Sequence, residues 1–132
     1  MMPLINREKL YREFAIVADH PLDSELDVEE MFRRFRFLNE EIGEVHDAIT
    51  QIAKSKTETV DQVAHLLKEL ADVQYTLSGF CATFGLNLDD AYMRVHESNM
   101  SKFQPDGPTY NSDGKVMKGP NYRPPFLKDL VV

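Results

Sequence analysis

Cations, cysteine and long apolar runs are all scarce in this chain of 132 residues, and each shortage removes a class of protein. Fifteen lysines and arginines stand against 22 acids, a net charge of −7, so the basic face of a general nucleic-acid binder is missing. An anionic small substrate remains admissible where cations stand between it and the acids. The one cysteine, Cys81, cannot form an internal disulfide, and its apolar neighbours predict a packed thiol. No apolar run approaches the roughly 20 residues of a membrane span. The opening "MMPLINREKLYREF" carries charge where a secretion signal needs an apolar segment, so a cytoplasmic protein without a membrane partner is expected. Glycine and proline are sparse in the body and gather late, with eight of the thirteen in residues 104–132. The expected organisation is one domain over 1–132, a helical body to about 103 and an extended tail over 104–132.

The body has helical periodicity. Leu10, Phe14 and Val17 predict a first helix over about 6–18, ending before Pro21. Asp27 is placed to cap a second, with Glu30 reaching back. From there Met31, Phe35, Leu38, Ile42, Val45, Ile49 and Ile52 alternate steps of four and three, a seam that predicts a helix over about 28–54. The polar "KSKTE" interrupts it, and Thr59 with Gln62 forms a capping box for a third helix. Its seam is Val63, Leu66, Leu70, Val73, Leu77, Phe80 and Phe84, closed by Gly85 as the left-handed residue. Asn87 can cap a fourth helix over about 88–103, and "YNSDGKVM" suits a small hairpin about Asp113-Gly114. The fold class is an all-α bundle built on two long antiparallel helices.

Two stretches inside those helices share one pattern. "EIGEV" at 41–45 and "ELADV" at 69–73 both read acid, aliphatic, small, acid, valine. Each acid precedes a seam residue, so Glu41 and Glu44, and likewise Glu69 and Asp72, lie one turn apart on the flank of the seam. The midpoint between the motifs falls in "KSKTE", so an antiparallel hairpin brings both to one level. Four carboxylates would converge there, beside the small residues Gly43 and Ala71. Such a cluster is strongly unfavourable unless divalent cations neutralise it, and hard oxygen ligands favour Mg2+ or Mn2+.

Glu-x-x-Glu, a gap of a couple of dozen residues and Glu-x-x-Asp on adjacent helices resembles the all-α nucleoside triphosphate pyrophosphatases. That superfamily includes MazG-like enzymes, dimeric dUTPases and phosphoribosyl-ATP pyrophosphohydrolase. The resemblance covers roughly residues 28–103. It implies that Glu41, Glu44, Glu69 and Asp72 hold magnesium and that a nucleotide is cleaved to its monophosphate and pyrophosphate. Glu40 is a further candidate ligand, since related motifs often open with a double glutamate. Glu41 or Glu40, if not fully committed to metal, is the carboxylate expected to accept the water's proton. It also implies that Asn99 and Lys102, in "RVHESNMSKF", contact the substrate's phosphates. The tail "DGKVMKGPNYRPPF" is similar to tails of a MazG-like branch and is absent from phosphoribosyl-ATP pyrophosphohydrolase itself. A (deoxy)nucleoside triphosphate, with dUTP a candidate, is therefore the first expectation and phosphoribosyl-ATP the alternative. The likeness implies a homodimer or homotetramer.

Other features point elsewhere with less force. A redox di-iron bundle would use Glu-x-x-His pairs, whereas Glu44 is followed at the third position by Asp47 and Glu69 by Asp72. His46 and His65 are spare metal-ligand types, and His65 suits a pair with Glu69. A non-catalytic partner-binding bundle would show no metal dependence. The arginines of "RRFRF" at 33–37 are expected on a solvated or intersubunit face. Phe32, Phe37, Leu67 and Tyr75 lie off the main seams and suit a second apolar face that a further copy would bury. The apolar groups of the tail, Val116 and Met117 among them, predict that it packs in extended form over its own or a neighbouring subunit.

Overall fold

The computed structural model describes residues 5–56, 59–103, 105 and 107–131. Its contacts divide the chain into two compact units, Met1–Leu86 and Asn87–Val132, a boundary before the fourth helix and not at residue 104.

The first unit holds α1 (Arg7–Ala18), α2 (Val28–Ser55) and α3 (Val60–Thr83). The caps of α2 and α3 are the expected ones, and Asn6 adds an unanticipated cap on α1. Asn6 accepts from the backbone of Lys9, Asp27 from that of Glu30, and Thr59 exchanges both bonds of its box with Gln62. Glu30 departs from expectation, because its carboxylate pairs with Arg34 (2.9 Å) and Arg33 (3.5 Å) instead of reaching back. Lys56 ends α2 in the left-handed region, and Thr57 and Glu58 of the expected break lie outside the described residues.

α2 and α3 pack along each other, and α1 packs on α3. The buried apolar centre is small. Tyr11, Ala15 and Ala82 form it, with Leu22 packed against them, and Cys81 and Phe84 are buried near the end of α3. Burial pushes the Cys81 thiol up, as expected for a packed group. The α1–α2 loop is tied to the end of α3, where Asp23 and Ser24 donate backbone hydrogen bonds to Ala82 and Thr83 (3.0 and 2.7 Å). Arg12 holds both oxygens of Asp23 from α1 at 2.8 and 2.7 Å, and its hydrogen bonds keep that carboxyl below the usual range. Gly85 has φ +64 as expected, and a side chain there would also meet Asp23 Oδ1 at 3.0 Å.

Gly79 is required for a different reason. A Cβ at this position would lie 2.8 Å from two ring atoms of Tyr11. Because Tyr11 is buried, either its ring or α1 would have to move. Gly79→Ala should therefore cost about 1–3 kcal/mol by overpacking, more than the ~1 kcal/mol that alanine returns in helix propensity. A lower urea midpoint is the expected result, and an unchanged or higher one would show that α1 yields freely.

The second unit holds α4 (Leu88–Met100), capped by Asn87, a 3-10 turn over Ser101–Phe103, and the tail. Tyr110 and Val116 form an antiparallel bridge around Gly114 (φ +79), the hairpin expected there; among the described residues this is the extent of β pairing. The tail then returns to α4. Ser98 Oγ donates to the Arg123 carbonyl (2.6 Å), Arg123 N donates to Ser101 Oγ (2.9 Å), and Arg94 makes a two-point ion pair with Asp129. The described tail residues thus include an ordered strap on α4 within this unit.

Candidate metal and nucleotide site

The antiparallel pairing of α2 and α3 brings the two acid motifs together. One carboxylate oxygen from each of Glu41, Glu44, Glu69 and Asp72 lies within 4.8 Å of all the others. Glu69 is the deepest, 4% exposed, while Glu41 and Asp72 are half-buried and Glu44 is at the surface. A Cβ placed on Gly43 would meet nothing within 4 Å, so the space expected beside it exists in this protomer.

The electrostatics are those of an under-neutralised cluster. Hydrogen-bonding proximity to Glu69, then the charges of Glu41 and Glu69, push the Glu44 carboxyl up to about 7. Two oxygens, Glu41 Oε2 and Glu69 Oε2, are buried and have no hydrogen-bond donor among the described residues. Glu44 can donate to Glu69 only while it holds a proton, so the fully ionised cluster leaves that Glu69 oxygen unsatisfied. The nearest cations are peripheral. Lys68 reaches Asp72 at 2.7 Å and Glu69 at 3.4 Å, and its hydrogen bond to Asp72 leads in pushing its own pKa up to about 12. His65 approaches Glu69 at 3.6 Å, the pairing expected of it. Buried, unpartnered oxygens on converging carboxylates fit a hard divalent cation, which would replace both the missing donors and the missing charge.

The other expected residues divide. Glu40 is exposed beside Glu41 and is not one of the converging four. Asn99 is exposed on α4, and Lys102 is half-buried in the turn after it; both belong to the second unit. His46 lies exposed against Asp47 at 3.7 Å, outside the cluster.

Arg34 corrects the sequence reading. It is 7% exposed and not solvated, with Nε on Glu30, while Arg33 and Arg36 are exposed as expected. It lines a cavity of about 270 Å3 that also has Glu41 and Asp72 in its wall. Spacing could have found it, since residue 34 precedes the first acid by seven positions, two helical turns along the same face.

A profile for phosphoribosyl-ATP pyrophosphohydrolase matches residues 10–99. No curated protein matches the chain significantly. The matched span includes all four converging acids and covers well over half of the sequence. The protein therefore belongs to the phosphoribosyl-ATP pyrophosphohydrolase family, within the MazG-like all-α nucleoside triphosphate pyrophosphatases, and its site is of the pyrophosphohydrolase type.

Proposed function

We propose that the protein is a magnesium-dependent hydrolase that cleaves a (deoxy)nucleoside triphosphate to its monophosphate and pyrophosphate. The observation that carries the reading is the convergence of four carboxylates with two buried oxygens that no donor among the described residues satisfies. Glu41, Glu44, Glu69 and Asp72 would hold Mg2+, or Mn2+ in its place. Bound there, the cation supplies charge neutralisation, polarisation of the phosphoryl oxygens and stabilisation of the departing pyrophosphate.

The residues of the chain carry the remaining work. Water attacks the α-phosphorus, the bond from that phosphorus to the bridging oxygen breaks, and pyrophosphate leaves with the bond's electron pair. Glu41, or Glu40 beside it, accepts the proton of the water. Lys68 and His65, from the same helix, approach Oε1 of Glu69 at 3.4 and 3.6 Å and partly offset its charge. By family likeness Asn99 and Lys102 contact the phosphates, the lysine as a point charge.

Phosphoribosyl-ATP is the second reading, favoured by the profile that matches. The triphosphate reading is favoured by the tail beyond the matched span, through its likeness to tails of a MazG-like branch. The functional form in this reading is a homodimer or a tetramer built from dimers, to which the half-exposed apolar residues along α2 and α3 lend support, and its expected place is the cytoplasm. Pyrophosphate release from the common ribo- and deoxyribonucleoside triphosphates, dUTP included, and from phosphoribosyl-ATP, with Mg2+ and with Mn2+, tests the proposal. Release from at least one triphosphate is expected. A folded protein inactive on the whole panel would overturn it.

A further inference from the structure

The cavity beside the carboxylates has a direction. On α2 it runs from Glu41 back through Phe37 to Arg34, and on α3 from Asp72 through Tyr75 to Gly79. Each path is seven residues, two turns or roughly 10 Å of helix. One end of the cavity therefore lies at the metal-ligand set and the other about two turns away. A triphosphate held at the carboxylates would have its phosphates at the first end and its base toward the second.

The walls suit a flat ring. Tyr11 and Phe14 come from α1, Phe37 from α2 and Tyr75 from α3. Tyr75 meets Tyr11 edge-on at 5.5 Å and Phe14 at 5.6 Å, so the rings brace one another at fixed angles. At about 270 Å3 the cavity is just below the roughly 300 Å3 at which small-molecule sites begin, room for one ring system and not a whole nucleotide.

Arg34 supplies the guanidinium of this cavity, whose wall also carries the polar side chains of His20 and Thr76. The Arg34 side chain is largely buried, and among the described residues its hydrogen-bond partner is Glu30, through Nε alone. The four terminal N–H donors are left without a protein acceptor. Those nitrogens are not fully enclosed, and Arg34 lines the cavity, so water or a ligand can complete them there. A guanidinium fork pairs best with two acceptors side by side, as it does with guanine O6 and N7. Cytosine offers the same through O2 and N3. Adenine and uracil or thymine interrupt their acceptors with donors.

We propose that this cavity is the nucleobase site, that its aromatic walls hold the ring, and that Arg34 selects bases presenting two adjacent acceptors, cytosine or guanine. This deepens the triphosphate reading and rests on it for the orientation of the substrate.

Two measurements test it. The first is kcat/KM across dATP, dCTP, dGTP, dTTP and dUTP for wild type, Arg34→Lys and Phe37→Ala. The wild type should prefer dCTP or dGTP. Arg34→Lys keeps the charge opposite Glu30 but loses the fork, and should lower kcat/KM for the preferred base about 5- to 150-fold while changing the others little. Phe37→Ala should raise KM for every nucleotide with kcat nearly unchanged. The second measurement is binding of the nucleoside monophosphates, followed by tyrosine fluorescence. The chain has no tryptophan, and Tyr11 and Tyr75 stand in the walls. Binding of the cytosine or guanine monophosphate that Arg34→Lys weakens would support the base site even if no triphosphate were cleaved. Cleavage with a preference for adenine, thymine or uracil, or a uniform effect of Arg34→Lys on all bases, would overturn the inference and leave the hydrolase reading intact. Absence of monophosphate binding, with the cavity covered by a second copy, would overturn it as well.

Discussion

Metal-free protein carrying Glu44→Gln is expected to melt higher than the wild type while losing pyrophosphate release by at least about a hundredfold, the scale of removing one stabilising group from a transition state. Both effects have one cause. The cluster concentrates four carboxylates with one oxygen each inside 4.8 Å, and the neighbouring Lys68 and His65 only flank it. Replacing Glu44 by its neutral isostere removes a repelling charge and keeps a donor for Glu69. Asp72→Asn should also abolish activity, but its gain in stability should be smaller. Asp72 is paired with the exposed Lys68, and losing that pair costs up to about 1 kcal/mol.

The sign of the pH dependence follows from the raised Glu44 carboxyl. Between its ordinary range near 4.5 and about 7 the folded protein binds more protons than the unfolded chain. Stability of the metal-free wild type should therefore fall as pH rises through that window, and Glu44→Gln should flatten the fall. Saturating Mg2+ or Mn2+ should reverse it in the wild type, since a ligand at 100 times its dissociation constant adds about 2.7 kcal/mol. Thermal melts at several pH values, with and without metal, check all three. If Glu44→Gln lowered the metal-free melting temperature by several degrees, the acids would be making structural pairs, and the metal reading would fail.

The second large effect concerns association. Each long seam divides into two rows. Met31, Leu38, Val45 and Ile52 on α2, with Leu66, Val73 and Phe80 on α3, are partly buried. Phe35, Ile42 and Ile49, with Val63, Leu70 and Leu77, remain between about a third and a half exposed. The hairpin register that aligns the acids also sets these six on common levels, which makes one continuous apolar stripe. A monomer rarely leaves such a stripe to water, and a second copy presenting the same stripe would cover it with two-fold symmetry.

Ile49→Glu places a charge in that stripe without disturbing the protomer, where Ile49 already sees solvent. Burying it unpaired would cost several kcal/mol, so the dimer dissociation constant should rise by about a hundredfold or more. Sedimentation or light scattering should find the wild type as a dimer or tetramer and the variant shifted to monomer at the same concentration. A wild type that is monomeric at tens of micromolar would sink the idea.

The helices, their caps and the two acid motifs could be read directly from the residues, because each depends on spacing within one helix. A seam of alternating threes and fours can bury itself only as a helix, and Thr59, Gln62, Asn87 and Gly85 act on backbone groups a few positions away. The meeting of Glu41 and Glu44 with Glu69 and Asp72 needed one further step, the symmetry of the motifs about the turn, and the structure bears it out. The depth of each group was not legible. Arg34 is buried and Phe35 next to it is half exposed, the reverse of what polarity suggests, because α1 lies over one flank of the hairpin and leaves the seam uncovered. The aromatic cavity likewise takes Tyr11 and Phe14 from α1, more than twenty residues before the first of the four converging acids, and no local pattern joins them. Periodicity along a chain specifies which face of a helix is apolar. Which face is covered depends on the free energy of packing separate elements together, and that is settled only when they meet.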